Sequence, residues 1–163
     1  MLTEMLRKTV EADPSKTAIV QGIRRIRYLE LDALVGRCAA GLHERGIGPG
    51  DCVAMALPNC PEFVVALFAC ARLRAIMHPF DPSCARAEAK RNLWDARAKL
   101  VIADVLRAHV VAGSGGVVSE FETLLAPSTD PLPASWFDGP VLYLYTSGST
   151  DERKRLCCTQ KNL

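Results

Sequence analysis

Cys52-Val53-Ala54-Met55-Ala56-Leu57, then Pro61 to Arg74, then Ala75-Ile76-Met77-His78 are the three consecutive stretches on which the fold turns. The first is a short, nearly continuous apolar run with a β-branched member, the pattern of a strand buried on both faces. Pro58 ends it, and Asn59 stands where a capping side chain is expected for the next element. Pro61 to Arg74 is apolar round most of its surface and reads as a buried helix. The third stretch is a short strand closed by Pro79 and Pro82. Ser83 is then expected to cap a more polar helix running to about Ala98. Lys99-Leu100-Val101-Ile102-Ala103-Asp104 is another strand of the buried type. This alternation predicts an α/β fold, a layered and mainly parallel sheet flanked by helices.

Upstream, Thr17 to Val20 and Ile23 to Tyr28 flank Gln21-Gly22 and predict a β-hairpin. A helix is expected from about Leu29 to Arg45. Leu31, Leu34, Val35, Cys38 and Leu42 recur there at helical spacing, with Glu30, Arg37 and Glu44 off the stripe. Gly46 stops it, and Gly48-Pro49-Gly50-Asp51 makes a turn. Beyond Asp104 the pattern weakens. Leu106 to Ala112 is a helix candidate, and Val117-Val118 opens a short strand or connector. Gly113-Ser114-Gly115-Gly116 is a plain turn, since it lacks the following helix and Lys of a phosphate loop. Ala126 to Pro133 is rich in Pro and turn formers. The expected organisation is an α/β lobe over 1–125, a linker over 126–138, and a strand–loop–strand unit, itself incomplete, over 139–163.

The 163 residues are 49% hydrophobic and 23% charged, which suits one soluble domain or one lobe of something larger. A formal charge of +2 is too small to argue for nucleic acid, and no Lys/Arg run supports it. No stretch approaches the length needed to cross a bilayer, so no membrane association is expected. Met1-Leu2-Thr3-Glu4-Met5 carries acid early and shows no signal peptide. The seven cysteines are odd in number and include no Cys-x-x-Cys pair, while His43, His78 and His109 stand apart. That pattern argues against a zinc site or a disulfide framework. It favours small buried thiols in a reducing compartment, and a cytoplasmic location is expected.

One segment carries chemistry. Val141-Leu142-Tyr143-Leu144-Tyr145-Thr146 is a strand by residue type, emptying into Ser147-Gly148-Ser149-Thr150. A charged turn follows, then a second strand-like run, Leu156-Cys157-Cys158-Thr159. Triphosphate binding needs several donors converging on a polyanion, and a glycine-containing loop with hydroxyls and one Lys can supply them. Thr146, Ser147, Ser149 and Thr150 offer hydroxyls, Gly148 permits close backbone approach, and Lys154 brings a mobile charge. Lys154 lacks the preceding Gly and following Ser/Thr of a Walker A loop, and its flanking element is a strand. On these residues alone, a polar hairpin turn accounts for the segment as well as a phosphate cradle does.

Tyr145-Thr146-Ser147-Gly148-Ser149-Thr150, with Lys154 four further on and Thr159-Gln160-Lys161-Asn162-Leu163 following, resembles the phosphate-loop signature of the adenylate-forming superfamily. That family includes acyl- and aryl-CoA synthetases, peptide-synthetase adenylation domains and luciferases. The resemblance extends upstream in family order. It takes in Tyr28-Leu29-Glu30-Leu31-Asp32, Gly46 to Ala54, Leu57 to Phe63, Pro79-Phe80-Asp81-Pro82 and Ala98 to Ile102. It implies activation of a small carboxylic acid by ATP, giving an acyl-adenylate and pyrophosphate. Transfer of the acyl group to coenzyme A or to a carrier-protein phosphopantetheine would follow in a complete enzyme. The same resemblance implies that Thr146, Ser147, Gly148, Ser149, Thr150 and Lys154 hold the β- and γ-phosphates, with Mg2+ sharing the charge. It assigns no catalytic residue and no metal ligand to this chain.

Four positions depart from the family pattern. Where the loop normally continues Thr-Gly-x-Pro-Lys-Gly, this chain reads Thr150-Asp151-Glu152-Arg153-Lys154-Arg155. Asp151 sets a carboxylate beside a polyanion site, a repulsion of about 1 kcal/mol at loop distances. Arg153 replaces the proline and loses stiffness, and Arg155 replaces a glycine and returns positive charge. Arg74 stands at a helix-to-strand corner where the family has glycine. Family members are also several times longer than this chain. The adenine and ribose pocket, the acidic magnesium ligand, most of the acyl pocket and the mobile domain with its catalytic lysine fall outside the resemblance. Two readings therefore stand. One is the N-terminal portion of an acid–thiol ligase, expected by itself to lack measurable adenylation activity. The other is a non-catalytic module whose partner is the remainder of the domain or another subunit.

Overall fold

Period-two alternation in one strand organises the molecule. The computed structural model describes residues 2–81, 83–112, 116–127, 139–145 and 154–159. Strand β3 (Cys52–Ala56) is buried along its whole length. Val53 and Met55 point into one apolar cluster, with Val35, Leu42, Val65, Cys70 and Leu73. Cys52, Ala54 and Ala56 point into another, with Ala89, Leu93 and Ala96. Bulky side chains on one face and small ones on the other allow different packing depths on the two sides of a single strand.

The order of elements explains the two layers. A helix α1 (Leu2–Ala12) and the hairpin β1 (Thr17–Gln21) and β2 (Arg24–Arg27) come first. They lead into helix α2 (Tyr28–Glu44), which packs on helix α3 (Pro61–Leu73). Strand β4 (Ile76–Pro79), helix α4 (Arg86–Ala96) and strand β5 (Ala98–Ala103) follow. Then come one turn of helix α5 (Ala108–Val111), strand β6 (Val117–Glu120) and a 3-10 helix over Phe121–Leu124. Strands β7 (Leu142–Tyr145) and β8 (Arg155–Cys158) complete a six-stranded sheet in the order β6-β5-β3-β4-β7-β8. All neighbours are parallel except β7 and β8. Strands β4 and β5 lie on opposite sides of β3, so crossovers of one hand place α3 on one face and α4 on the other.

The expected mainly parallel α/β sheet is therefore present, and several boundaries differ. Asn59 does not cap α3. Cys60 occupies the cap with extended backbone, φ −141° and ψ 165°, and Pro61 takes the first helical position, where its missing N–H costs nothing. Ser83 does not cap α4. Its hydroxyl and N–H both go to Oδ1 of Asp81, at 2.7 and 2.8 Å, and the helix starts at Arg86 after Ala85. That helix stops at Ala96, because Arg97 turns left-handed at φ 52° and Ala98 already belongs to β5. Helix α5 is shorter than the 106–112 expected.

Two elements were not anticipated. In α1, Arg7 pairs with both Glu4 and Glu11 on the outer face while Leu6 is buried. The 3-10 helix inserts Phe121 and Leu124 into the α2–α3 core. Pro82, the 113–115 part of the glycine turn, the 128–138 part of the expected linker and residues 160–163 lie outside the described residues.

Candidate functional site

Tyr145 and Arg155 are register partners on antiparallel β7 and β8, which flank residues 146–154 in sequence. Because β7 runs parallel to β4, its end at Tyr145 lies at the carboxyl edge of the parallel strands, where open α/β sheets place their ligands. Of the residues expected to hold phosphate, Lys154 is exposed immediately before β8. Thr146, Ser147, Gly148, Ser149 and Thr150 lie outside the described residues, as do Asp151 and Arg153. The structure thus supplies the stem and one cation of the expected cradle.

Arg155 braces that stem. Its guanidinium carbon sits 4.7 Å from the centroid of the Tyr143 ring, and Nη1 donates to the Asp95 carbonyl at 2.8 Å. The first contact is a cation–π pairing, and the second ties β8 to the last turn of α4. Arg74, another departure from the family pattern, sits at the C-terminus of α3 with φ 56° and ψ 25°. This left-handed corner is the conformation that favours glycine.

Beneath the stem lies a residue whose role the sequence did not reveal. His78 on β4 is 1% exposed. Its Nδ1 is 3.4 Å from the Tyr143 carbonyl oxygen. Its ring stacks on Phe80 at 5.8 Å between centroids and meets Tyr145 at 5.0 Å, tilted by 58°. Burial pushes the imidazole pKa below its ordinary value; the Tyr143 carbonyl opposes that shift and the Arg155 charge adds to it. Burial raises the Tyr145 phenol, against the pull of Arg155. A lone histidine inside a strand of buried apolar residues was the available signal. Its separation from the other two histidines in sequence hid the aromatic cluster that β7 brings to it.

Three of the seven thiols, Cys38, Cys52 and Cys70, are buried as packing groups, while Cys157 is exposed. Cys38 and Cys52 are pushed up to about 12 by burial, and Cys70 rises for the same reason, so none is a ready nucleophile near neutral pH. Among the described residues all the cysteines are free, and no three His, Cys, Asp or Glu side chains converge as a metal site. No helix among them is long and apolar enough to cross a membrane. A cleft of about 140 Å³ opens beside the Arg24–Glu62 ion pair, between the hairpin, α2, α3 and the 3-10 helix. None of its lining residues belongs to the β7–β8 stem.

The chain matches the family model described as AMP-binding enzyme over residues 6–163. It is 32% identical over 178 residues to indoleacetate–CoA ligase of Aromatoleum aromaticum, covering 98% of this chain and 35% of the ligase. It is 29% identical over 164 residues to tyrocidine synthase 2 of Brevibacillus parabrevis, covering 99% of this chain and 5% of that protein. Among solved structures it superposes on the Klebsiella oxytoca NpsA N-terminal subdomain in complex with 3-hydroxyanthranilyl-AMSN. The TM-score there is 0.85 at 26% identity, over 96% of this chain and 40% of that one. The chain therefore spans about a third of the ligase and a small fraction of the synthase.

Proposed function

The chain belongs to the AMP-binding enzyme family, and on that premise we propose that it is the N-terminal portion of an ATP-dependent, carboxylic acid-activating ligase. The observation that supports this most directly is the stem itself. The antiparallel β7–β8 pair flanks residues 146–154 in sequence, and β7 ends at Tyr145 on the carboxyl edge of the parallel sheet, where open α/β folds bind nucleotides. In this reading Thr146, Ser147, Gly148, Ser149 and Thr150 supply hydroxyls and amides to the β- and γ-phosphates, and Lys154 supplies positive charge. Fixed donors of this kind stabilise charge developing on a leaving pyrophosphate. ATP, when bound, supplies the adenylyl group that makes an acid reactive. Lys154 and Arg155 suit such a polyanion. Mg2+ would share the phosphate charge, and no ligand for it is assigned among the described residues, where no three His, Cys, Asp or Glu side chains converge. Coenzyme A or a phosphopantetheine carrier is the acceptor class in the complete enzyme. The unlinked thiols, three of them buried, suit a reducing, cytoplasmic setting.

One observation favours the second reading, a non-catalytic binding module. Leu144 and Leu156 pair across the stem and are 37% and 49% exposed, an apolar spot suited to covering by the remainder of the domain or by another subunit. Titration of ATP–Mg into the wild-type chain and into Asp151→Gly separates the two. The ligase reading expects binding that strengthens in the glycine variant, by about fivefold if the carboxylate repulsion of about 1 kcal/mol is relieved. Absence of binding in both proteins overturns the phosphate-loop assignment.

A further inference from the structure

Beside the loop stem lie two polar atoms with unused capacity. Nε2 of His78 and the hydroxyl of Tyr145 are buried and make no well-formed hydrogen bond among the described residues; the Arg155 guanidinium approaches the Tyr145 oxygen as a donor, which leaves the phenol hydrogen itself without an acceptor. Buried polar groups are nearly always paired, so two orphans on neighbouring rings call for an account. The chemistry of the ring decides which can donate. Nδ1 lies 3.4 Å from the Tyr143 carbonyl, which can only accept, so the ring hydrogen sits on Nδ1. Nε2 is then a lone-pair acceptor. Burial holds the imidazole neutral, and the adjacent unpaired donor is the Tyr145 O–H, on a ring 5.0 Å away. Ala54 is the register partner of His78 on β3.

We propose that Tyr145 donates its hydroxyl hydrogen toward Nε2 of His78 through one buried water that bridges the two atoms. The pair is a positioning device for the strand end that precedes the 146–154 loop. This rests on the reading of that loop as a phosphate site. The attachment of β7 to the parallel sheet explains why such a device matters. Among the described residues only Met77 and Leu142 are in register between β4 and β7, with the Met77 N–H donating to Val141 O at 2.9 Å. His78 adds a grip on the Tyr143 carbonyl and a second on the Tyr145 side chain, the last strand residue before the loop. The charged and titratable groups acting on these two rings are Arg155 of β8, Tyr143 of β7, Asp95 of α4 and Cys52 of β3. Protonation of the imidazole would place a hydrogen on Nε2 and remove the acceptor that Tyr145 needs.

Nitrogen-15 NMR of the full chain tests this, alongside ATP–Mg titration of wild type and Tyr145→Phe. The expected result is a His78 ring with its hydrogen on Nδ1 and an Nε2 signal that shifts in Tyr145→Phe. ATP–Mg affinity should fall about three- to tenfold in that variant, as for loss of one hydrogen bond. It should fall likewise in wild type as pH drops below the ordinary histidine value of 6.5. A hydrogen found on Nε2, or an Nε2 signal indifferent to Tyr145→Phe, overturns the proposal. If wild type fails to bind ATP–Mg, the phosphate reading falls while the ring-nitrogen signals still decide the pairing. If Tyr145→Phe does not fold, the wild-type tautomer decides it alone.

Discussion

Gly41, inside α2, shows how a single atom sets the energetics of this fold. A glycine in a helix interior ordinarily costs about 1 kcal/mol relative to alanine, so Gly41→Ala would be expected to stabilise. The structure reverses that sign. A Cβ at Gly41 would sit 1.9 Å from the Leu124 carbonyl oxygen of the 3-10 helix. The obstacle is backbone, which cannot swing aside. Gly41→Ala is expected to destabilise by about 2 kcal/mol through overpacking, read as a lower urea midpoint at unchanged slope. His78 gives a second prediction at this scale. Its folded pKa lies below the unfolded value of 6.5, so the unfolded chain takes up the proton first as pH falls. The contribution of His78 is fully present above 6.5 and is lost progressively below it, toward the depressed folded value. Urea unfolding at about pH 7.5 and about pH 5.5 should show a larger loss for wild type than for His78→Gln. Equal losses would remove His78 from the account.

Element boundaries show what kind of information a sequence holds locally. The buried character of β3, α3 and β5 was legible, because it depends on runs of residue type that packing then enforces. The caps were not. Asn59 has the right side chain for a cap, yet Pro61 sets the helix start and leaves Cys60 in the cap position. Ser83 prefers a tight turn with Asp81 that forms before the helix begins. Side chains that bond their own backbone offer several local solutions, and tertiary packing chooses among them. The end of α3 was marked in sequence by Arg74 in a glycine position, and the structure gives the physical cost. Arg74 holds φ 56° with its N–H bonded to Ala71 O, a corner that glycine occupies without strain. Arg74→Gly is expected to stabilise by about 0.5–1 kcal/mol in the same unfolding measurement, and a loss of stability would mean that the side chain contributes more than its backbone strain costs.

Across the whole molecule, the alternation from Cys52 to Asp104 predicted the parallel sheet, since each crossover helix must cover one face. What it could not supply was the meeting of distant segments. Phe121 and Leu124 complete a core built by α2 and α3, and nothing near residue 121 announces that destination. His78 becomes part of a cluster only when β7 pairs beside β4, across 65 residues of chain. Arg155, read as a departure from a glycine pattern, packs on the Tyr143 ring of β7 and ties β8 to α4 through the Asp95 carbonyl. The candidate site was thus legible as a motif and as a stem, while its supports came from long-range contacts. The central claim is that this stem holds a loop that binds the phosphates of ATP. Calorimetric titration of ATP–Mg into wild type, Asp151→Gly and Lys154→Ala tests it most directly. Binding is expected in wild type, tighter binding in Asp151→Gly and at least tenfold weaker binding in Lys154→Ala, as for a charge-assisted contact of about 1.5–3 kcal/mol. Binding that ignores Lys154, or no binding in wild type and Asp151→Gly alike, would contradict it.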